Sequence, residues 1–124
     1  LKNRGAVSTA ASERAARLAI DAQRAQLRHV LASEVFRTVF AYLSLQANQL
    51  TLRYLEDSLA RQNQIVEITQ ARFKSGDVVR IDVDRAQARR ARVQSSVANA
   101  RANLAAAQIA LARSMGVDLD AVGT

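Results

Sequence analysis

Between Ala10 and Ser75, and again between Val78 and Met115, the chain holds neither proline nor glycine except at the junction, and its apolar residues return at alternating steps of three and four. That rhythm marks helices packed along heptad seams. In the second stretch one seam runs Val83, Ala86, Arg90, Val93, Val97, Ala100, Leu104, Ala107 and Leu111, with Arg90 as its polar break. A second series of the same period follows Ala88, Ala91, Ser95, Ala98, Ala102, Ala105, Ile109 and Ala112. On a 3.5-residue wheel the two seams lie roughly 150° apart. The first stretch repeats the design towards its C-terminal end. One seam there is Ala41, Leu45, Asn48, Leu52, Leu55, Leu59, Gln62, Val66, Thr69 and Phe73. The other is Phe36, Phe40, Leu43, Ala47, Leu50 and Tyr54, fading through Asp57, Arg61 and Gln64 before Ile68 and Ala71. A two-stranded coiled coil needs one seam per helix. Two nearly opposite seams separated by polar strips describe a stave in a wall wetted on both sides; the alternative is the core helix of an ordinary bundle, which also buries two faces.

The predicted order is a helix over about 10–75, a turn at Gly76, a second helix over about 78–115 and a C-terminal tail over 116–124. Gly76 is the only glycine between Gly5 and Gly116, so a reversal there sets the helices antiparallel. The expected fold class is therefore all-α, a long antiparallel coiled-coil hairpin. Gly116 stands at the C′ position of the second helix, after Arg113 in its last turn, and "VDLDAVGT" reads as an exit segment. Matching the seams opposes Leu59 to Val93, Leu55 to Val97 and Val66 to Ala86. The same register brings the polar breaks Gln62 and Arg90 to one level. A polar layer in an apolar seam specifies register at some cost in stability; alternatively, Arg90 snorkels to solvent beside Gln62. The outer seams, strips of Ala, Leu and Phe, call for lateral partners, and self-association of the segment is expected.

Composition changes the picture in one respect. The apolar content of 49% would fill an ordinary core, but alanine dominates it and only five aromatics are present: Phe36, Phe40, Tyr42, Tyr54 and Phe73. Alanine favours helix and contributes little volume, which suits close-packed helices over a thick core. The formal charge of +7 comes from 16 arginines and two lysines, Lys2 and Lys74, spread along the chain among acids. Such a balance permits nucleic-acid or anionic-surface binding, and so strong a preference for arginine over lysine equally fits a GC-rich genome. No run of ~18 apolar residues and no signal-peptide core is present. Leu1 is not an initiator methionine, so the sequence reads as a fragment or processed chain.

Catalytic chemistry finds no support in the residues. His29 is the sole histidine and cysteine is absent, which leaves no metal-ligand set, and no glycine-rich phosphate loop occurs. Asp82 and Asp84, two residues apart, point to different helix faces and make no acid–base pair. No enzyme activity and no cofactor are expected. Arg85, Arg89 and Arg92 share a face, with Arg80 near the turn, and such a group suits phosphates. Asp77, Asp82 and Asp84 crowd the same region and no aromatic follows to stack on bases, so nucleic acid is not the expected partner. A basic coiled-coil scaffold, or a helical protein that binds nucleic acid or an anionic surface, stands as the alternative class.

Residues 69–116, "TQARFKSGDVVRIDVDRAQARRARVQSSVANARANLAAAQIALARSMG", resemble one repeat of the TolC-type outer-membrane efflux proteins. The features that match are Arg72-Phe73, Gly76 three residues on, Asp82-Val83, Ala86, the long alanine-rich run, and Leu111 with Met115-Gly116. Upstream, "VFRTVFAYLSLQANQL" is similar to the aromatic-rich stretch of the preceding helix, with Ala41-Tyr42 in the expected place. The resemblance covers about residues 10–116 and implies a hairpin segment of a trimeric α-barrel tunnel in the periplasm, a passive efflux or type I secretion conduit. The outer-membrane barrel of such proteins has strands of ~9–11 alternating residues, for which this sequence has no candidate. The resemblance further implies that the tip around Lys74, Ser75, Gly76, Asp77, Val78 and Val79 docks a periplasmic adaptor (membrane-fusion) protein of an inner-membrane pump. The family's tip carries an apolar–Gly–apolar triplet and often a serine three residues after the glycine; here these are Ser75-Gly76-Asp77 and Val79. Asp77 is alternatively an N-cap of the second helix. Opening in such channels rearranges the hairpins near the tip, which makes Arg80, Asp82, Asp84 and Arg85 candidate latch residues. The cargo is a drug, a metal ion or a secreted polypeptide.

Overall fold

In a computed structural model of the chain, residues 2–116 are described, and they form two helices joined by a five-residue link, with no strand among them. Helix α1 spans Lys2–Lys74 and helix α2 spans Arg80–Ser114. The "VDLDAVGT" segment lies outside the described residues. Contacts divide the chain into two units, Leu1–Thr38 and Val39–Thr124.

Two boundaries differ from the sequence expectation. Helix α1 begins at Lys2 instead of near Ala10, running through Gly5. One glycine costs a helix about 1 kcal/mol, which an alanine-rich run absorbs, and the Thr9 hydroxyl donates to the Gly5 carbonyl at 2.7 Å. Helix α2 begins at Arg80 instead of near Val78, because Val78 and Val79 stay outside it and Val79 (φ −92°, ψ 161°) is the N-cap. β-Branched side chains resist the helical turn and favour the extended backbone seen there.

In the first unit, side chains 4–37 are all exposed, Leu18, Leu27, Leu31 and His29 among them. Its side-chain bonds are local: Ser33 Oγ donates to the His29 carbonyl at 2.9 Å, and Arg37 pairs with Glu34.

The second unit is the hairpin. On α1, Ala41 and Val66 are buried, and Leu45, Asn48, Leu52, Leu55, Leu59, Gln62 and Thr69 are half-buried. On α2, Val83, Ala86, Val97, Ala100 and Ala107 are buried, and Arg90, Val93, Leu104 and Leu111 are half-buried. These are the inner seams read from the 3–4 spacing. The larger residues stand mostly on α1 and the smaller ones on α2, so leucines lie against alanines and the axes can approach closely. Val66 is the most deeply buried side chain, at 1% exposure. Two positions depart from the pattern. Phe73, expected in the inner seam, is 39% exposed where the seam opens towards the link. Ala112, expected in the outer seam, is buried. A helix at 3.6 residues per turn drifts about 20° per heptad against a 3.5-residue wheel, and over the length of α2 that rotation carries Ala112 inward.

The chain reverses through a glycine cap. The Asp77 N–H donates to the Arg72 carbonyl at 2.8 Å and the Gly76 N–H to the Phe73 carbonyl at 3.0 Å. Gly76 itself is left-handed, with φ +82°. Together these make a Schellman motif, which satisfies the last carbonyls of α1 while turning the chain. Helix α2 ends likewise, with Gly116 at φ +68° donating to the Arg113 carbonyl at 3.2 Å. Space is not what requires glycine at position 76, since a Cβ there would meet nothing within 4 Å; the backbone angle is. Gly76→Val is therefore expected to destabilise the hairpin by about 1–2 kcal/mol, and Gly76→Asn by clearly less, because asparagine enters the left-handed region more readily. Thermal melts followed by circular dichroism check the order; equal losses would show that the angle is not the constraint.

Candidate functional site at the chain reversal

The residues after α1 build a small polar knot. Ser75 Oγ lies 2.9 Å from Asp77 Oδ2 and 3.0 Å from the Arg72 carbonyl, able to donate its one proton to either acceptor. Asp77 is thus engaged with Ser75, and the reading of Asp77 as N-cap of α2 is corrected: Val79 holds that position and no side chain caps the helix. The carboxylate sits three residues ahead of the first helical residue, too early to reach the free N–H groups of the first turn. The Asp82 N–H donates to the Val79 carbonyl at 3.0 Å, and Asp82 is the acid of that turn. At the other end of the link, Arg72 and Lys74 lie in the last turn of α1, where cations complement the helix dipole. Val79 and Ile81 are largely exposed and Val78 is half-buried.

The hairpin has two flanks beside its inner seam, and each carries a groove near the reversal. One groove, of about 340 Å³, is lined by Gln70, Phe73, Lys74, Arg80, Val83 and Gln87. The other, of about 370 Å³, is lined by Ile65, Thr69, Arg72, Val78, Asp82, Arg85, Ala86 and Arg89. The four residues Arg80, Asp82, Asp84 and Arg85 therefore do not form one cluster. Arg80 Nε lies 3.6 Å from Asp84 Oδ1 in an exposed i,i+4 pair, while Asp82 and Arg85 open into the second groove. Nor does Arg80 join the face of Arg85, Arg89 and Arg92, because positions 80 and 85 sit on opposite sides of the seam residue Val83. Sequence spacing along α2 could have separated them. What it could not supply was the contribution of α1, namely Ile65 and Arg72 on one side and Gln70 and Phe73 on the other.

Further along the hairpin, Arg101 Nη2 donates to Glu56 Oε1 at 2.9 Å, an ion pair that joins the two helices. The register drawn from the seams would set Ser96 opposite Glu56. Helix side chains lean towards their own N terminus, so in antiparallel helices these two lean towards each other and span the offset. Within the seam, Asn48 and Thr69 satisfy themselves on the carbonyls of Ser44 and Ile65, at 2.8 and 2.7 Å. Gln62 and Arg90 do not: Gln62 Oε1 and Arg90 Nε are buried without a hydrogen-bond partner. One is an acceptor and the other a donor, on facing seams. A buried unpaired polar atom costs about 1–3 kcal/mol. Replacing both, as Gln62→Leu with Arg90→Leu, is expected to raise the hairpin's melting temperature and to broaden the set of inter-helix cysteine pairs that cross-link. A rise in Tm with an unchanged cross-linking pattern would leave the pair without a role in register.

Among the described residues no group of His, Asp or Glu is placed to hold a metal, and no helix is long and apolar enough to cross a membrane. Away from the grooves the outer seams are exposed. Leu43, Leu50 and Tyr54 of α1 are exposed by 56%, 64% and 68%, and Phe36 and Phe40 lie exposed on the same stripe. On α2 the stripe from Ala88 through Ala105 to Ile109 is exposed. Residues 1–117 match the model of a family described as outer membrane efflux protein. No curated protein and no solved structure matches the chain.

Proposed function

Since the chain belongs to the outer membrane efflux protein family, we propose that residues 1–124 form a single periplasmic hairpin segment of such a channel's tunnel wall, a passive conduit that assembles as a trimer and docks an adaptor at its tip. The observation that carries this reading is the pair of outer seams. Each helix keeps a second apolar stripe that the hairpin leaves uncovered, bulky on α1 and small on α2. That is the same large-against-small complement that closes the inner seam, so neighbouring hairpins can repeat the contact side by side. A head-to-tail contact of this kind generates a ring when the rotation closes. Polar strips between the seams then face water inside and outside the wall.

The tip residues Lys74, Ser75, Gly76, Asp77, Val78 and Val79 present the docking surface in this reading, with an inner-membrane pump beyond the adaptor. Arg80, Asp82, Asp84 and Arg85 act near the tip as latches between closed and open arrangements. The Arg80–Asp84 pair is solvent-exposed, so its loss should cost the hairpin at most about 1 kcal/mol and act mainly on opening.

Two measurements test the proposal. Charges placed on the outer seam of the full-length protein, as Leu43→Glu with Leu50→Glu, should abolish the trimer in size-exclusion chromatography while helicity is retained, because an unpaired charge buried at an interface costs several kcal/mol. An intact trimer would remove the seam from the assembly. Neutralising Asp82 and Asp84 together, as Asn, should raise the single-channel conductance of the full-length protein in planar bilayers; unchanged conductance and export would discard the latch.

A further inference from the structure

Between the reversal and the Glu56–Arg101 bridge, polar residues interrupt both seams of the hairpin at one level. We propose that this level is a hinge, about which the tip of the hairpin, residues 66–86, swings as one block while the helices beyond it stay closed. The swing is the motion by which the tip opens. That role rests on the tunnel reading above, whereas the hinge itself rests on the packing of α1 against α2.

In the inner seam the level is marked by Gln62 and Arg90, whose Oε1 and Nε are buried without a hydrogen-bond partner. In the outer seam of α1 it is marked by Asp57, Arg61 and Gln64, and in that of α2 by Ser95. Burial divides at the same place. Val66, Val83 and Ala86 are buried on the side of the reversal, and Val97, Ala100 and Ala107 on the other. From Ala86 to Val97, roughly 16 Å along α2, no side chain is buried, and α1 has none buried between Ala41 and Val66. Leu59 and Val93, which flank the level in the inner seam, are half-buried. The polar ties are divided too. Glu56–Arg101 joins the two helices beyond the level. On the tip side the bonds made by the side chains of Thr69, Ser75 and Arg80 are local ones, along α1, within the link or along α2.

Two blocks joined through such a level are weakly coupled, because a bend there breaks few apolar contacts. The buried donor and acceptor add a bias of definite sign. In the closed hairpin each has lost water and gained no partner, and a bend that admits water at the level restores one to both. An apolar layer would lose burial on bending, whereas this one recovers hydration. Closed and bent arrangements are thereby drawn together in free energy, so that a small bias at the tip can move the block. Both helices run unbroken through the level, which makes the motion a bend. The tip moves as a unit because the Gly76 cap closes one end of it and the burial of Val66, Val83 and Ala86 the other.

The test uses the full-length protein and two ways of satisfying the level. Gln62→Leu with Arg90→Leu makes it apolar, and Gln62→Glu alone offers the buried guanidinium a carboxylate while adding no bulk. Circular dichroism selects variants that keep the wild-type helicity. By amide hydrogen exchange, wild-type segments 59–65 and 87–94 should exchange at least about tenfold faster than segments 66–72 and 97–107. Both variants should slow the first two segments at least about tenfold and leave 97–107 unchanged. In planar bilayers both should open at least about fivefold less often than the wild type. Wild-type exchange at the level that matches the two blocks, or that neither variant slows, overturns the hinge. Slowing by the leucine pair without slowing by Gln62→Glu also overturns it, since bulk and not the unpaired atoms would then control the bend. Slowed exchange with unchanged opening overturns the role in opening and leaves the tunnel reading intact. A wild-type protein that forms no conducting pore overturns the tunnel reading, and its exchange pattern still decides the hinge.

Discussion

Close approach of two helices through small side chains is the constraint on which the rest of this hairpin depends. Ala86, Ala100 and Ala107 of α2 are buried against a face of α1 whose bulk comes from leucines and Val66. Alanine keeps helix propensity high and lets the backbones draw together, but it gives up the volume that an ordinary core uses. A two-helix unit with so thin a seam has little apolar burial to set against the entropy of ordering it. Length offsets this in part, since each added heptad repeats the same contact. The outer seams extend the principle, offering a second set of contacts that one hairpin cannot make by itself.

The reversal follows from the same constraint. Two helices packed antiparallel along one seam need a short, tight link, and the Schellman cap at Gly76 provides one while satisfying the last carbonyls of α1. Its left-handed backbone explains why glycine stands there when the stretches on either side exclude it. The link also parts the arginines that follow it. Arg80 enters α2 on the flank where Asp84 can reach it, and Arg85 and Arg89 emerge on the other. The two flanks of the tip thus differ in charge although they derive from one continuous run of sequence.

Much of this architecture is legible in the amino-acid sequence. The 3–4 spacing identifies the inner seam on both helices, because burial in a long hairpin repeats the pattern at every heptad and single exceptions do not hide it. Gly76 and Gly116 are legible as breakers for the same reason, standing alone in long unbroken runs. The start of α1 is not, since Gly5 resembles a boundary and only the surrounding alanines outweigh it. Asp77 misleads because an acid after a turn is the ordinary helix cap, and nothing in the sequence shows that Ser75 engages it while two valines delay α2. Ala112 departs from its seam through the slow drift of a 3.6-residue helix against a heptad wheel. The grooves and the Glu56–Arg101 bridge depend on which residues of α1 meet those of α2, a matter of register and side-chain lean that spacing on one helix does not carry.

The central claim is that each helix carries two seams, one closed within the hairpin and one closed only by assembly. Cysteine accessibility tests it directly. A single cysteine at Val97 represents the inner seam, and single cysteines at Leu50 and Ala98 represent the outer one. Each is placed in the isolated 124-residue chain held monomeric at low concentration, and in the assembled full-length protein. The account predicts slow modification at Val97 in both, and fast modification at Leu50 and Ala98 in the monomer that slows by at least about tenfold on assembly, as expected when opening of a packed interface controls access. Equal and fast modification of the outer-seam cysteines in both states would contradict it.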